Sequence, residues 1–191
     1  MKTTLITSLI ICFAFTFYCR NGMAQTEANL KGKKVALIIA PGDFRDEEYA
    51  KPKEYFETNG AKVTTVSTTT NEVTGSRGMK AKPQLLLKDL QVSDYNAIVF
   101  VGGPGARGYY NNEVAMQIVK KAYQENKVVA AICVAPNILC KAGILDGKKA
   151  SAWSFEVSGC DVIESSKSVE TDGKIVTANG PSAALDFAIA I

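Results

Sequence analysis

The sequence predicts a doubly wound α/β sandwich of three layers, with helices on both faces of a largely parallel central sheet. Three observations carry this. Continuous apolar runs of strand length recur at Val35-Ala36-Leu37-Ile38-Ile39-Ala40, at Tyr95 to Val101 and at Lys127 to Ile132, as expected of strands covered on both faces. Amphipathic helical stretches alternate with them, which is the pattern of strand–helix–strand crossovers. Distinctive residues follow three strand ends: Asp46-Glu47-Glu48, Gly102-Gly103 and Cys133. In open sheets of this kind, sites lie at the carboxyl ends of strands.

Each element has its own local reason. Pro41-Gly42-Asp43 ends the first strand, and the acidic cluster opens a helix to about Asn59, where Gly60 is the stop signal. Pro52 sits inside that pattern, marking its first turn or a kink. Ala61 to Ser67 alternates as a second strand, and Thr68 to Pro83 reads as a surface loop or small hairpin. Leu85 to Leu90 is a short amphipathic piece. Asn112 to Asn126 is a helix with Val114, Ile118, Val119 and Ala122 in register. After a turn at Gly143 to Gly147, Lys149 to Trp153 is a candidate strand. Val162, the region 167–170 and Ile175-Val176-Thr177 are others, with Asp172-Gly173 as a turn. Ser182 is placed to cap a final helix, Ala183 to Ile191. That helix stops while still apolar, which suggests a truncated chain or an unusually short helix.

The first 24 residues read as a secretory signal. Lys2 supplies a positive start, Leu5 to Tyr18 is a largely apolar run of 14 residues, and Gly22 and Ala24 fit the −3 and −1 positions of a cleavage site. The run is shorter than the ~20 residues that span a bilayer; an uncleaved anchor is the alternative. Residues 25–32 follow as a flexible lead-in, and 33–191 as a single domain able to bury a full core. The expected location is periplasmic or secreted. The net charge of +3 falls to +1 once Lys2 and Arg20 leave. No basic block argues for nucleic acid, nor for a membrane surface after cleavage.

Cleavage also removes Cys12 and Cys19 and leaves Cys133, Cys140 and Cys160. An odd number in an exported chain points to at least one free thiol. Cys133 and Cys140, if on one helix, stand roughly 10 Å apart by helix rise, too far for a disulfide. The chain has no histidine. This removes Ser-His-Asp and Cys-His catalysis and any histidine metal site. No cysteine spacing replaces it, so no metal is expected. Nor is a cofactor: Gly102-Gly103-Pro104-Gly105 lacks the Lys-Ser/Thr of a phosphate loop and fits no nucleotide fingerprint.

Cys133 is the sharpest feature. An apolar, β-branched run ends at it abruptly, small residues Ala131 and Ala135 flank it two positions away, and a helical pattern follows. This is the layout of a nucleophile elbow. The helix start is expected to favour a thiolate there. A buried cysteine acting as a small hydrophobe is the plainer alternative. Trp153, the only tryptophan, is a candidate pocket residue or simply a core or surface aromatic.

The chain from about Lys33 to Ile191 resembles the DJ-1/PfpI family of the class I glutamine-amidotransferase-like superfamily. Phe44-Arg45-Asp46-Glu47-Glu48 with Pro52 matches its F-x-D-x-E…P segment, and Phe100-Val101-Gly102-Gly103 its P-G-G strand end with Val101 in place of proline. Ala130 to Pro136 matches the A-I-C-x-G/A-P elbow, Ala142 to Lys148 the A-G-L/V-L-x-G-K/R turn, and Thr177 to Pro181 with Phe187-Ala188 the T-S-R-G-P…F-A ending. The resemblance implies a flavodoxin-like fold and a homodimer. It implies Cys133 as nucleophile or redox cysteine and Glu48 as its acid/base partner. It also implies an oxyanion hole from the backbone N–H groups of Gly103 and Val134. Protease-like members carry histidine where this chain has Val134, so peptidase activity does not transfer. What the resemblance leaves is cysteine-dependent, glyoxalase- or deglycase-like chemistry on small reactive carbonyls. A redox-sensing or chaperone-like protein of oxidative stress, with Cys133 oxidised, and a non-catalytic binding module are the alternatives.

Overall fold

The computed structural model describes residues 29–191; the expected signal segment lies outside them. Along the chain run β1 (Lys34–Ile38), α1 (Asp46–Thr58), β2 (Lys62–Ser67), β3 (Val73–Thr74), β4 (Lys80–Ala81), β5 (Leu85–Leu86), β6 (Ala97–Phe100) and α2 (Glu113–Gln124). There follow β7 (Val128–Ile132), α3 (Pro136–Lys141), β8 (Lys149–Ala150), β9 (Ile163–Glu164), β10 (Val169–Asp172), β11 (Ile175–Ala178) and α4 (Ala184–Ala190). Seven strands form the central sheet in the order β10-β11-β7-β6-β1-β2-β5. Every pairing in it is parallel except the β10–β11 hairpin at one edge. The doubly wound prediction therefore holds.

Alternation along β1 shows why the sheet needs two covers. Ala36 and Ile38 pack into one core with Ile118 and Val119 of α2 and Ile138 and Leu139 of α3. Val35, Leu37 and Ile39 pack into the other with Tyr49 and Phe56 of α1 and Phe187 of α4. The chain leaves β1 towards α1 on one face and leaves β6 towards α2 on the other. A crevice therefore opens where β1 and β6 lie side by side, at their carboxyl ends.

Several local expectations change. Pro52 lies inside α1 without ending it; it falls in the second turn, where it removes the one amide donor that would meet the Glu48 carbonyl. Thr68 to Pro83 contains the β3–β4 hairpin. Leu85 to Leu90 divides into β5 and a 3₁₀ turn. The strand expected over Lys149 to Trp153 stops at Ala150, and Trp153 enters a 3₁₀ turn instead. Ser182 caps nothing. It lies within the 3₁₀ turn Pro181–Ala183, and α4 begins after Ala183 with no side-chain cap. Proline at the head of that turn fixes the entry in place of a hydroxyl. In the expected lead-in, the Leu30 N–H donates to the Asn59 carbonyl and the Lys33 N–H to the Leu30 carbonyl.

Cys140 and Cys160 form a disulfide with Cα atoms 5.7 Å apart. It ties α3 to the segment between β8 and β9. Asn137 supports the same tie by accepting the Ser158 N–H at 3.1 Å. Among the described residues, no helix is long and apolar enough to cross a membrane.

Candidate active site

Cys133 follows β7 directly and has φ of +66°. A non-glycine residue there costs on the order of 1–2 kcal/mol, and such strain persists only where the surroundings impose it. The surroundings do so with two backbone bonds. The Cys133 N–H donates to the Ala178 carbonyl of β11 at 2.9 Å, and its carbonyl accepts the Trp153 N–H at 2.8 Å. Ala131 and Ala135 are fully buried, so the small flanking residues meet the crowding the elbow creates. Cys133 is the free cysteine among the described residues, and 8% of its surface reaches solvent.

Glu48 reaches the same point from the first turn of α1, and none of its surface is exposed. Its Oε2 accepts the Gly102 N–H at 3.1 Å. Its Oε1 has no nitrogen or oxygen partner, and the Cys133 thiol lies against the carboxyl group. Burial, the dominant cause, pushes the Glu48 carboxyl up to about 7; the thiol contact, the Gly102 N–H and the Arg45 charge hold it from going higher. The Cys133 thiol is pushed up to about 12, first by burial and then by the neighbouring carboxylate, against the pull of the Gly103 and Val134 N–H groups. The expected thiolate at a helix start is therefore corrected. The six residues of α3 supply too small a dipole to outweigh burial and an adjacent carboxylate. Two groups this close titrate as a pair. Between those two values the pair holds one proton.

Gly102 and Gly103 make this geometry available. A Cβ on Gly102 would stand 2.5 Å from Glu48 Oε2 and 2.6 Å from Cys133 Cβ, so any side chain there separates the pair. Gly103 has φ of +98°, and a Cβ would collide with the Arg45 amide nitrogen. That conformation leaves its N–H, like that of Val134, near enough to the thiol to favour its ionised form. The three strand ends singled out in sequence thus converge on one sulfur atom.

The thiol forms part of the wall of a cavity of about 310 Å³, lined also by Arg45, Arg77, Gly103, Pro104, Arg107, Val134, Trp153 and Pro181. Trp153 is 49% exposed and belongs to this wall. The arginines were not legible in sequence. Arg77 arrives from the β3–β4 hairpin, in the stretch read as a surface loop or small hairpin, because a second buried carboxylate holds the hairpin against α1. Asp46 Oδ2 accepts the Arg77 N–H at 2.9 Å and Oδ1 the Met79 N–H at 2.7 Å. Asp46 therefore has a positioning role, distinct from that of Glu48. Among the described residues, no group of three or more carboxylate or thiol side chains converges as a metal site would require.

A strained cysteine at a strand-to-helix elbow, facing a buried glutamate from the first turn of α1, defines an α/β sandwich of the nucleophile-elbow type. The chain belongs to the DJ-1/PfpI family, which matches residues 33–191. It is 40% identical over 179 residues to an uncharacterized protein of Methanocaldococcus jannaschii, covering 91% of this chain and 87% of that one. It is 31% identical over 117 residues to a Pyrococcus furiosus protein named deglycase PfpI, covering 61% of this chain and 70% of that one. Among solved structures, a ThiJ/PfpI domain protein from Brachyspira murdochii superposes with a TM-score of 0.81 at 30% identity, covering 84% and 94% of the two chains.

Proposed function

We propose that this protein is a cysteine-dependent enzyme acting on small reactive carbonyls, with glyoxalase- or deglycase-like chemistry. The observation that carries the reading is the buried Glu48 carboxyl with an unpartnered oxygen against the free thiol that borders the cavity. A carboxyl held near 7 is matched to proton transfer at neutral pH. In the reaction, Cys133 sulfur bonds to the carbonyl carbon. The C=O π pair moves to oxygen, and Glu48 takes the thiol proton and delivers it to that oxygen, giving a hemithioacetal. The N–H groups of Gly103 and Val134, which lie near the thiol in the resting site, supply donors for the negative charge that develops. The deglycase name of the Pyrococcus relative supports the same chemical class.

The test is consumption of a 2-oxoaldehyde by the purified protein. The expected result is turnover that Cys133→Ser abolishes; an unchanged rate in that variant overturns the proposal. A redox-sensing role is the second reading, favoured by one observation. Cys140 and Cys160 are locked together, so peroxide finds the free thiol at Cys133. The Cys133 S–O bond forms as the O–O bond of peroxide breaks, and the thiol proton joins the departing hydroxide as water, leaving a sulfenic acid. We further propose export, which the disulfide supports because such bonds persist in oxidising compartments, and a homodimer as the working state.

A further inference from the structure

The cavity carries a charge pattern that the carbonyl chemistry alone does not need. Arg45, Arg77 and Arg107 all line it, alongside Cys133 and Trp153. Two of the three are matched by carboxylates. Arg45 Nε stands 2.8 Å from Glu47 Oε2, and Arg107 Nη2 stands 2.7 Å from Glu156 Oε2. Arg77 makes no ion pair among the described residues. The residue is exposed, but its backbone is fastened: its N–H donates to buried Asp46, and the preceding Ser76 N–H donates to the Phe44 carbonyl. The hairpin is thus held so that Arg77, which has no carboxylate partner among the described residues, lines the same cavity as the thiol. A planar guanidinium suits carboxylate or phosphate oxygens in a two-pronged contact.

We propose that the cavity selects small electrophiles bearing an anionic group, such as an aldehyde or ketone carrying a carboxylate, with Arg77 as the selecting residue. Arg107 is a reserve cation held off by Glu156. The proposal builds on Cys133 as the reacting thiol, as the carbonyl-enzyme reading does, and names the substrate class for that site.

The test compares alkylation of Cys133 by iodoacetate and by iodoacetamide, which share a leaving group and nearly a shape but differ by one charge. The quantity read is the ratio of the two rate constants. Arg77→Gln is expected to lower the iodoacetate-to-iodoacetamide ratio by about three- to ten-fold at low ionic strength, and 0.5 M salt should shrink that difference, since exposed charges are screened. Glu156→Gln is expected to raise the ratio by releasing Arg107. A ratio unmoved by Arg77→Gln overturns the assignment whatever Glu156→Gln does. The readout needs only a free thiol. Failure to turn over carbonyls therefore leaves this inference standing, and an unmoved ratio in an active enzyme removes this inference alone.

Discussion

Replacing Glu48 by glutamine isolates the energetic cost of the buried carboxyl. The amide keeps the shape, and its oxygen can still accept the Gly102 N–H that now meets Oε2 at 3.1 Å. What disappears is the titration. Glu48 moves from an ordinary value of 4.5 to about 7 on folding, chiefly through burial. The folded state thus holds this proton more tightly than the unfolded state. Wild-type stability from this group is complete below about pH 4.5, and it is lost as pH rises through about 7. A shift of that size corresponds to about 3 kcal/mol, with no discount for solvent because the residue is fully buried. The assay is urea unfolding of both proteins between pH 4.5 and 8. The difference between them cancels the titrating groups that do not interact with Glu48. The variant should match wild type at the acid end and exceed it by about 3 kcal/mol at pH 8. A difference that stays constant across that range refutes the reasoning.

Three further outcomes follow from the geometry. Gly102→Ala forces a methyl group between Glu48 and Cys133; it should cost about 1–3 kcal/mol as overpacking and abolish carbonyl turnover, measured by unfolding and kinetics on the same preparation. Cys160→Ser opens a cross-link spanning 20 residues; chain entropy puts the loss near 3 kcal/mol, read from the urea midpoint of the variant against wild type. Graded peroxide followed by peptide mass spectrometry should find added oxygen on Cys133 before Cys140 or Cys160; equal labelling of all three would contradict the pairing seen here.

The sheet was legible because its central strands are uniformly apolar, and because each ends in a residue type with a reason to be there. The acidic cluster, the double glycine and the cysteine point to one end of the sheet before any coordinates are known. Long-range pairing was less legible. Cys140 and Cys160 are both short of local signals, and only the path of the segment after β8 brings them together. The arginines of the cavity were invisible for the same reason. Arg77 becomes a wall residue because Asp46, 31 positions earlier, captures its backbone N–H, and a surface-loop composition carries no mark of that. The thiolate expectation failed on energetics rather than placement: elbow geometry was read correctly from Ala131, Cys133 and Ala135, but burial depth and the ionised neighbour depend on the assembled fold. Chain order alone could not show that Ser182 would fall in a 3₁₀ turn headed by Pro181 rather than at a helix cap.

Glu48 loses its proton through about pH 7 and from there acts as the base beside the Cys133 thiol. The most direct measurement is the pH dependence of Cys133 alkylation by uncharged iodoacetamide, in wild type and in Glu48→Gln. The account predicts a wild-type rate that rises through about pH 7, where the pair loses its first proton. In the variant that rise should be absent, and reactivity should appear only in the alkaline range of a buried thiol with no base beside it. Superimposable profiles for the two proteins would contradict the account.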